Sequence, residues 1–368
     1  MKLETFRFRD RDLALKIVGK IKEYGVKATF MHVCGTHQDT LLRYGLDSLL
    51  ERVNVKVKAG PGCPVCVTPP EEYEEAITLA EKGVVITGYG DVLKSPGYDR
   101  SLLDMRAKGC DVRIVYSVSD AVNIALKTGK EVVFMGVGFE TTAPSTASTI
   151  INSPPENFSI LSCHRYIPPA VQKLLSMGEL KLDGLIQPGH VSTIIGLTPY
   201  ERLLKEFNIP QVIAGFEPLD VLMAVLMLVK QIYEGPPRVE NEYVRSVKPE
   251  GNLKALNMIN QVFYPIKVHW RGFPEIEKSG MKLKPEYEKY DARLKFEDSI
   301  GDLSSGEFGK PKGCLCGEVL RGIADPEECP LFSVRCTPQS PVGPCMVSIE
   351  GTCHIEYRYK KRCKQVKR

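Results

Sequence analysis

The sequence predicts an α/β protein with two Rossmann-like, doubly wound parallel-sheet domains and a smaller C-terminal domain. Short β-rich runs alternate with amphipathic helical stretches from Thr29 to Phe216, which is the pattern of parallel strands joined by helical crossovers. Beyond Gly235 this alternation stops, and seven of the twelve cysteines crowd into the last 55 residues. A chain of 368 residues is long enough for two or three such domains.

Eight runs rich in β-branched residues are predicted as strands. They lie at Thr29–Val33, Val55–Ala59, Val84–Thr87, Val112–Tyr116, Val132–Val137, Ser159–Ser162, Gly184–Gln187 and Val212–Ala214. We predict two four-stranded halves divided near residues 116–120, rather than a single sheet. The predicted domains are residues 1–118 with the loops of Cys34 and of Cys63 and Cys66, residues 119–237, and residues 238–368.

The helices between these strands carry boundary signals. Thr68-Pro-Pro-Glu71 has the order of an N-cap, a first-turn proline and a capping-box acid, and Thr198-Pro-Tyr-Glu201 repeats that order. Ser119 is predicted to cap a helix that ends at Gly129. The stretch from Pro218 to Tyr233 is apolar nearly all round, which predicts a helix buried between layers.

Charge and hydropathy exclude several classes of function. Lys plus Arg number 49 and Asp plus Glu number 45, a net charge of +4 that is interleaved along the chain and does not favour nucleic-acid binding. The basic run over 357–368 is predicted to be a solvated tail. The run Val221–Val229 is too short for a bilayer, which needs about 20 apolar residues. With no signal-peptide pattern near Met1, we expect a cytoplasmic protein whose cysteines serve metal or redox chemistry.

The loops that follow the predicted strands carry most of the polar chemistry. In open parallel sheets, ligands bind outside the carboxyl ends of the strands, so we expect these loops to form one cleft. The loops are Cys34-Gly-Thr-His37, Gly60-Pro-Gly-Cys-Pro-Val-Cys66, Gly88-Tyr-Gly-Asp91, Gly136-Val-Gly-Phe-Glu-Thr-Thr142, Cys163-His-Arg-Tyr166, Gln187-Pro-Gly-His190 and Gly215-Phe-Glu217.

Cys34 stands at the end of the first predicted strand, directly before a predicted helix. The N-terminus of a helix stabilises an anion, so we expect the pKa of this thiol to fall. We predict that Cys34 is an iron-binding thiolate and that His37, one turn further along, acts as a base or supports the ligand. The structural alternative is a small buried cysteine and a histidine that caps the turn.

Cys63 and Cys66 form a Cys-Pro-Val-Cys motif at the start of a predicted helix. Two thiols at this spacing can close a disulfide, and in a βαβ setting they indicate redox work. The alternative is half of a zinc site completed by Cys34 and His37.

Glu140 and His190 are further candidate site residues. Glu140 lies in a partial dinucleotide fingerprint whose third glycine is replaced by Thr141, so nucleotide binding is not predicted. Glu140 is instead expected to orient a small ligand at a helix start, with a simple helix cap as the alternative. His190 follows Pro188-Gly189 and is placed in the cleft by its position after a strand.

The C-terminal cysteines are the strongest local signal. Cys316, Cys329, Cys336 and Cys353 are separated by 12, 6 and 16 residues in an irregular segment rich in glycine and proline. Four thiolates of this kind suit a [4Fe–4S] cluster, and the lack of paired Cys-x-x-Cys knuckles disfavours a zinc ribbon. The sequence leaves open whether Cys314 or Cys345 replaces one of the four.

Together these strings resemble the HypD family of hydrogenase maturation factors. The matching motifs are Cys34–His37, Gly60–Cys66, Gly136–Pro144, Gln187–His190, Cys316–Gly322, Cys336–Ser348 and Glu350–Cys353. The resemblance covers almost the full length and implies two α/β domains with a C-terminal [4Fe–4S] domain.

The resemblance also implies a function and partners. It implies a scaffold on which the Fe(CN)2CO unit of [NiFe]-hydrogenases is assembled, with iron held by Cys34. The implied partners are a HypC-type chaperone that shares the iron and a HypE-type donor that delivers cyanide from a thiocyanate. Such a scaffold need not turn over as a free-standing enzyme. Two other interpretations stay open, an iron–sulfur thiol–disulfide reductase acting on a protein partner and a zinc-stabilised adaptor.

Overall fold

The structure is a computed structural model that describes residues 8–301 and 313–366, with the side chains of the last helix described to residue 360. The stretch 357–368, predicted to be a solvated tail, is helical to Val366, and its side chains beyond residue 360 lie outside the described residues.

Eleven strands are described, and the first nine belong to two parallel sheets. The strands are β1 (Ala28–His32), β2 (Val55–Ala59), β3 (Val85–Gly88), β4 (Val112–Ile114), β5 (Val132–Gly138), β6 (Phe158–His164), β7 (Gly184–Pro188), β8 (Gln211–Ala214), β9 (Val239–Asn241), β10 (Phe263–His269) and β11 (Glu275–Leu283). The first sheet has the order β2-β1-β7-β8-β9 and the second the order β4-β3-β5-β6. Strands β10 and β11 form an antiparallel hairpin.

Nineteen α-helices are described between and after these strands. They are α1 (Arg11–Tyr24), α2 (Gly35–Arg43), α3 (Leu46–Glu51), α4 (Pro64–Val67), α5 (Pro70–Glu81), α6 (Gly90–Lys94), α7 (Leu102–Ala107), α8 (Val118–Thr128), α9 (Ala143–Ile151), α10 (Ile167–Met177), α11 (Gly189–Ile195), α12 (Thr198–Phe207), α13 (Pro218–Glu234), α14 (Leu253–Val262), α15 (Ala292–Lys295), α16 (Glu297–Ile300), α17 (Cys316–Leu320), α18 (Pro344–Val347) and α19 (Thr352–Val366). Short 3-10 helices cover Pro285–Tyr290 and Pro326–Glu328.

The predicted α/β class with two parallel-sheet cores is confirmed, and all eight predicted strands are present. The strands are distributed differently from the predicted division near residue 118. After β2 the chain forms β3 to β6, which make up the whole second sheet. It then returns to the first sheet, where β7 pairs with β1, β8 with β7 and β9 with β8. The sheets therefore cut across the predicted ranges 1–118 and 119–237, and β9 brings part of 238–368 into the first sheet. Consecutive strands are neighbours in most folds, and that tendency favoured the simpler division.

Helix boundaries follow the sequence signals to within about two residues. Ser117, not Ser119, caps α8 through a capping box with Asp120, and the helix ends at Gly129 with a φ of 64°. Thr68 does not cap α5, because its hydroxyl donates to the carbonyl of Pro64 at the end of α4 (2.8 Å). Helix α5 instead begins at Pro70.

The two sheets share one hydrophobic core, which is why their carboxyl ends can serve a common site. Met31 and Leu185 of the first sheet and Val133 and Leu161 of the second belong to it. Helices α1 and α13 cover the outer face of the first sheet, and α8, α9 and α14 cover that of the second. Helix α13 is buried along most of its length as predicted, although Met223 near its middle is exposed.

The C-terminal segment packs against the first sheet and its loops. Helices α17 and α18 contact α4, and α19 packs along α2. Over the described ranges, none of the helices combines the length and apolar character that a bilayer crossing needs.

Candidate functional site

Cys34 is the N-cap of α2, directly after β1, in extended conformation (φ −155°, ψ 130°). Its side chain makes no capping hydrogen bond, but the main-chain N–H groups of Thr36 and His37 lie near enough to the sulfur to favour its thiolate form. The main chain of Gly35 is pressed against that of Glu350, so that a Cβ on Gly35 would collide with the Glu350 carbonyl. The C-terminal segment therefore closes over the Cys34 loop.

The predicted fall in the Cys34 pKa is wrong. Burial removes water from around the sulfur and raises the pKa of Cys34 to about 11, and the negative charge of Glu350 adds to this rise. The main-chain donors of α2 act in the predicted direction but are outweighed. Free Cys34 is therefore a thiol in this structure, and binding a metal would release its proton.

His37 and His190 both pack against the same aromatic ring. The ring of Phe216 is 4.7 Å from that of His37 and 4.0 Å from that of His190, measured between centroids. His37 Nε2 donates to the carbonyl of Gly215 (2.9 Å), which leaves Nδ1 without a hydrogen-bond partner among the described residues. Burial lowers the pKa of His37 to about 3, so the ring is neutral with the proton on Nε2.

Glu140 follows β5 and is buried, with 1% of its surface exposed. One carboxyl oxygen accepts the main-chain N–H of Ile167 at the start of α10 (3.1 Å), and among the described residues Oε2 has no partner. Burial raises the pKa of Glu140 to about 8, which keeps it protonated at neutral pH. The charges of Glu140 and of Cys34 both act on the phenol of Tyr200, so both groups lie near that side chain.

The second sheet and the C-terminal segment also meet beside Cys34. Asp91, in the first turn of α6 after β3, accepts a hydrogen bond from the hydroxyl of Ser348 (3.1 Å). The main-chain N–H of Glu350 donates to the same hydroxyl (3.3 Å). The structure thus brings Cys34 and His190 from the first sheet together with Glu140 and Asp91 from the second. This agrees with the predicted single cleft.

Cys63 and Cys66 are bonded to each other, with 5.3 Å between their Cα atoms. Cys63 is the N-cap of α4, and both residues are buried. The loop before them approaches the Cys34 loop closely, since a Cβ on Gly62 would overlap the main chain of Cys34. The predicted pair is therefore formed, and it lies directly beside Cys34.

The C-terminal cysteines form one buried group. The side chain of Cys316 interacts with those of Cys314, Cys345 and Cys353, and the charges of Cys314 and Cys329 act on Cys336. Each described member is nine-tenths or more buried except Cys314, which is half-buried.

A glycine lets the main chain approach the sulfurs of this group. A Cβ on Gly343 would stand 2.8 Å from Cys316 Sγ and 3.2 Å from Cys314 Sγ. The arrangement therefore depends on the absence of a side chain at this position.

The cysteine group adjoins the disulfide. Cys66 Sγ lies 4.0 Å from the carbonyl oxygen of Pro344, the residue before Cys345. A cavity of about 330 Å³ opens next to this contact and is lined by Cys314, Cys316, Arg271 and Arg321, among others. The C-terminal cysteines and the Cys63–Cys66 disulfide thus pack against one another, without bulk solvent between them at this contact.

The described thiols do not converge on one point. Within residues 8–301 and 313–366, no group of three or more His, Cys, Asp and Glu side chains is arranged to hold a single metal ion. In a [4Fe–4S] cluster each iron takes its own thiolate, so the ligands ring the cube. Apart from half-buried Cys314, the C-terminal cysteines of this group are buried, and the main chain of Gly343 lies close to their sulfurs. Thiolates in such a setting are suitable ligands for a [4Fe–4S] cluster.

Several residues of the site were not named as site candidates from the sequence, although Ser348 and Glu350 lie in the motifs that carry the family resemblance. Tyr200, Ser348 and Glu350 reach the cleft only through the packing of distant segments. Arg271 lies in the charged stretch after Gly235, where the sequence shows no motif. A contact made by tertiary packing leaves no periodic pattern, so no sequence rule used above could have identified these residues.

Comparison with known proteins gives a consistent result. The family model described as "HypD: Hydrogenase formation hypA family" matches residues 11–360. A putative hydrogenase expression/formation protein of Methanocaldococcus jannaschii is 48% identical over 359 residues, covering 96% of this chain and 98% of the relative. The hydrogenase maturation factor HypD2 of Bradyrhizobium diazoefficiens is 43% identical (96% and 95% covered), and HypD of Cupriavidus necator is 41% identical (96% of each).

Proposed function

The chain belongs to the HypD family of hydrogenase maturation factors, and from that premise we propose that it is the scaffold on which the Fe(CN)2CO unit of [NiFe]-hydrogenases is assembled. The observation that carries this proposal is the meeting of Cys34, the Cys63–Cys66 pair and the C-terminal cysteine group in one place. A scaffold that must hand over its metal needs few permanent ligands, and a single thiolate at Cys34 meets that need. We further propose that the protein acts in the cytoplasm.

The proposed cofactor is a [4Fe–4S] cluster held by Cys316, Cys329, Cys336 and Cys353. Such a cluster supplies single electrons when it is bound. The burial of these thiols and the close main-chain wall at Gly343 support the proposal. Cys345 is fully buried among Cys316 and Cys353.

Cys314 is the alternative to Cys316 as the first ligand. Cys329 Sγ lies 3.8 Å from the carbonyl of Gly313, the residue before Cys314. The charges of Cys314 and Cys329 act on Cys336. The side chain of Cys316 interacts with Cys345 and Cys353 as well as with Cys314. These contacts favour Cys314 on the side of Cys329 and Cys336, and separate Ser substitutions of Cys314 and Cys316 distinguish the two.

Cys63 and Cys66 are proposed to work as a redox dithiol between the cluster segment and Cys34. Opening the disulfide takes two electrons and two protons and yields two thiols. Both sulfurs are buried, so electrons are expected to arrive through the neighbouring cysteine group.

The remaining site residues are proposed to position the iron cargo and its ligands. The neutral ring of His37 offers Nδ1 as an acceptor because Nε2 is committed to Gly215. Glu140 offers a protonated carboxyl group, and exposed His190 lies at the rim of the cleft. A HypC-type chaperone is the proposed partner that shares the iron on Cys34, and a HypE-type protein the proposed donor of cyanide.

Metal and sulfide analysis of the anaerobically purified chain tests the cofactor. We expect brown protein with about four iron and four sulfide per chain, as the cluster formula requires. Colourless protein with one zinc per chain would end the cluster proposal and support the zinc-stabilised adaptor.

A further inference from the structure

Arg271 follows β10 and is attached to the loop that carries the disulfide. Its main-chain N–H donates to the carbonyl of Val67 (2.7 Å). Its guanidinium donates twice to the carbonyl of Thr68, from Nε at 3.2 Å and from Nη2 at 2.9 Å. Three hydrogen bonds therefore fix Arg271 to the two residues that follow Cys66.

The same side chain faces the C-terminal cysteine group. Arg271 lines the 330 Å³ cavity together with Cys314 and Cys316, and its positive charge acts on the Cys314 sulfur. Arg271 is thus a physical link between the Cys63–Cys66 loop and the cysteine group.

Arg271 shares its cavity with Glu71, but no described ion pair joins the two side chains. Among the described ion pairs none includes Arg271, whereas Arg321 in the same cavity pairs with Glu179 at 2.8 Å. An unpaired guanidinium held in a partly enclosed cavity exerts a stronger field on its neighbours than a paired or solvated one.

We propose that Arg271 is a positioning residue that ties the dithiol loop to the cysteine group and stabilises the reduced state of the group bound there. The inference rests on the proposed function, since it requires a cluster at these cysteines. One-electron reduction adds one negative charge to a group already carrying four thiolates. A fixed positive charge beside it favours the added electron and raises the reduction potential.

The attachment to Val67 and Thr68 gives this charge a second role. These carbonyls directly follow Cys66, so opening or closing the disulfide is expected to shift the guanidinium relative to Cys314. The redox state of the dithiol then alters the potential of the neighbouring cluster through Arg271.

A potentiometric titration followed by electron paramagnetic resonance of the reduced cluster tests the first role. Arg271→Gln keeps a donor for the Thr68 carbonyl but removes the charge, and we expect its midpoint to move to a more negative potential. Arg271→Lys keeps the charge and is expected to stay near the wild type. Arg113→Gln removes a cation paired with Asp111 on the second sheet and is expected to change nothing.

Two outcomes overturn the inference while leaving the proposed function intact. One is a normal iron and sulfide content with an unchanged midpoint in Arg271→Gln. The other is an equal shift in the Gln and Lys variants, which would assign the effect to lost hydrogen bonds. Absence of iron and sulfide from the wild type would instead contradict the proposed function itself.

A double-variant comparison tests the second role. Cys66→Ser is expected to shift the cluster midpoint in the wild-type background and to shift it less when combined with Arg271→Gln. Equal shifts in the two backgrounds would show that Arg271 does not transmit the state of the dithiol.

Discussion

The Cys34 sulfur lies near the main-chain N–H groups of Thr36 and His37 and near the acidic side chain of Glu350. The donors favour a thiolate, and the loss of water together with the acidic neighbour disfavours it more strongly. A metal ion bound to Cys34, as proposed above, would compensate the thiolate charge and so remove the reason for the raised pKa.

Cys34→Ala should abolish hydrogenase maturation without unfolding the chain. The substitution removes the proposed iron ligand but truncates only one small, half-buried side chain, at a cost of about 1 kcal/mol. Maturation is measured as hydrogenase activity in cells that lack their own copy of this factor, and folding by circular dichroism. Cys110→Ala, at a half-buried cysteine outside the cleft, is the matched control. Retained maturation in Cys34→Ala would remove this thiol from the mechanism.

Glu140→Gln should change how stability depends on pH. The folded-state pKa of Glu140 is about 8, above its usual value of 4.5, so the folded state favours the protonated form. That stability is fully present below about pH 4.5 and is lost as pH rises towards 8. Glutamine keeps the acceptor for the Ile167 N–H but does not titrate.

The measurement is the free energy of unfolding by denaturant at pH 5 and pH 7.5. The wild type should lose up to about 3 kcal/mol relative to Glu140→Gln between these values, since one pKa unit corresponds to about 1.4 kcal/mol. Parallel pH profiles of the two proteins would show that Glu140 is already ionised at pH 5.

Among the elements, the strands were predictable and their sheet partners were not. Strands such as β5 and β6 could be predicted because each is a short apolar run between turn residues, and this pattern is local in the sequence. Pairing β7 with β1, more than 150 residues earlier, depends on how the whole chain folds back. The site divides in the same way, because motif residues such as Cys63 were found from spacing while Arg271 needed the tertiary contact.

Gly343→Ala should disrupt the C-terminal cysteine group. The added Cβ would stand 2.8 Å from Cys316 Sγ and must displace that sulfur or the main chain. We expect a clear loss of iron and sulfide per chain on anaerobic purification. Gly19→Ala is the control, because nothing lies within 4 Å of its added Cβ and alanine favours helix α1 by about 1 kcal/mol. Full cluster content in Gly343→Ala would argue that these sulfurs are not arranged as described.

Cys66→Ser should leave the cluster absorbance intact but lower the electron count of a reductive titration. A disulfide takes up two electrons, so about two fewer per chain are expected. Cys110→Ser should retain the full count. An unchanged count in Cys66→Ser would mean that the Cys63–Cys66 loop is a ligand or a structural turn, and the redox part of the proposal would fail.

At the scale of the whole molecule, three distant parts of the chain converge on one place. The first sheet supplies Cys34, the second supplies Glu140 and Asp91, and the C-terminal segment closes over them at Glu350. The hydrophobic core shared by the two sheets fixes the position of one sheet relative to the other. The packing of α19 on α2 fixes the C-terminal segment against the first sheet. The proposed scaffold function needs this convergence, because electrons and the incoming cyanide and carbon monoxide must reach the same iron atom.

An infrared spectrum of the chain, purified anaerobically with its chaperone partner, tests the central claim most directly. Iron-bound cyanide and carbon monoxide absorb where the protein itself is transparent. We predict cyanide and carbonyl bands in the wild-type complex and their loss in Cys34→Ala, with the iron–sulfur cluster unaffected. A complex that carries the cluster but shows neither cyanide nor carbonyl bands would contradict the scaffold and favour an iron–sulfur thiol–disulfide reductase.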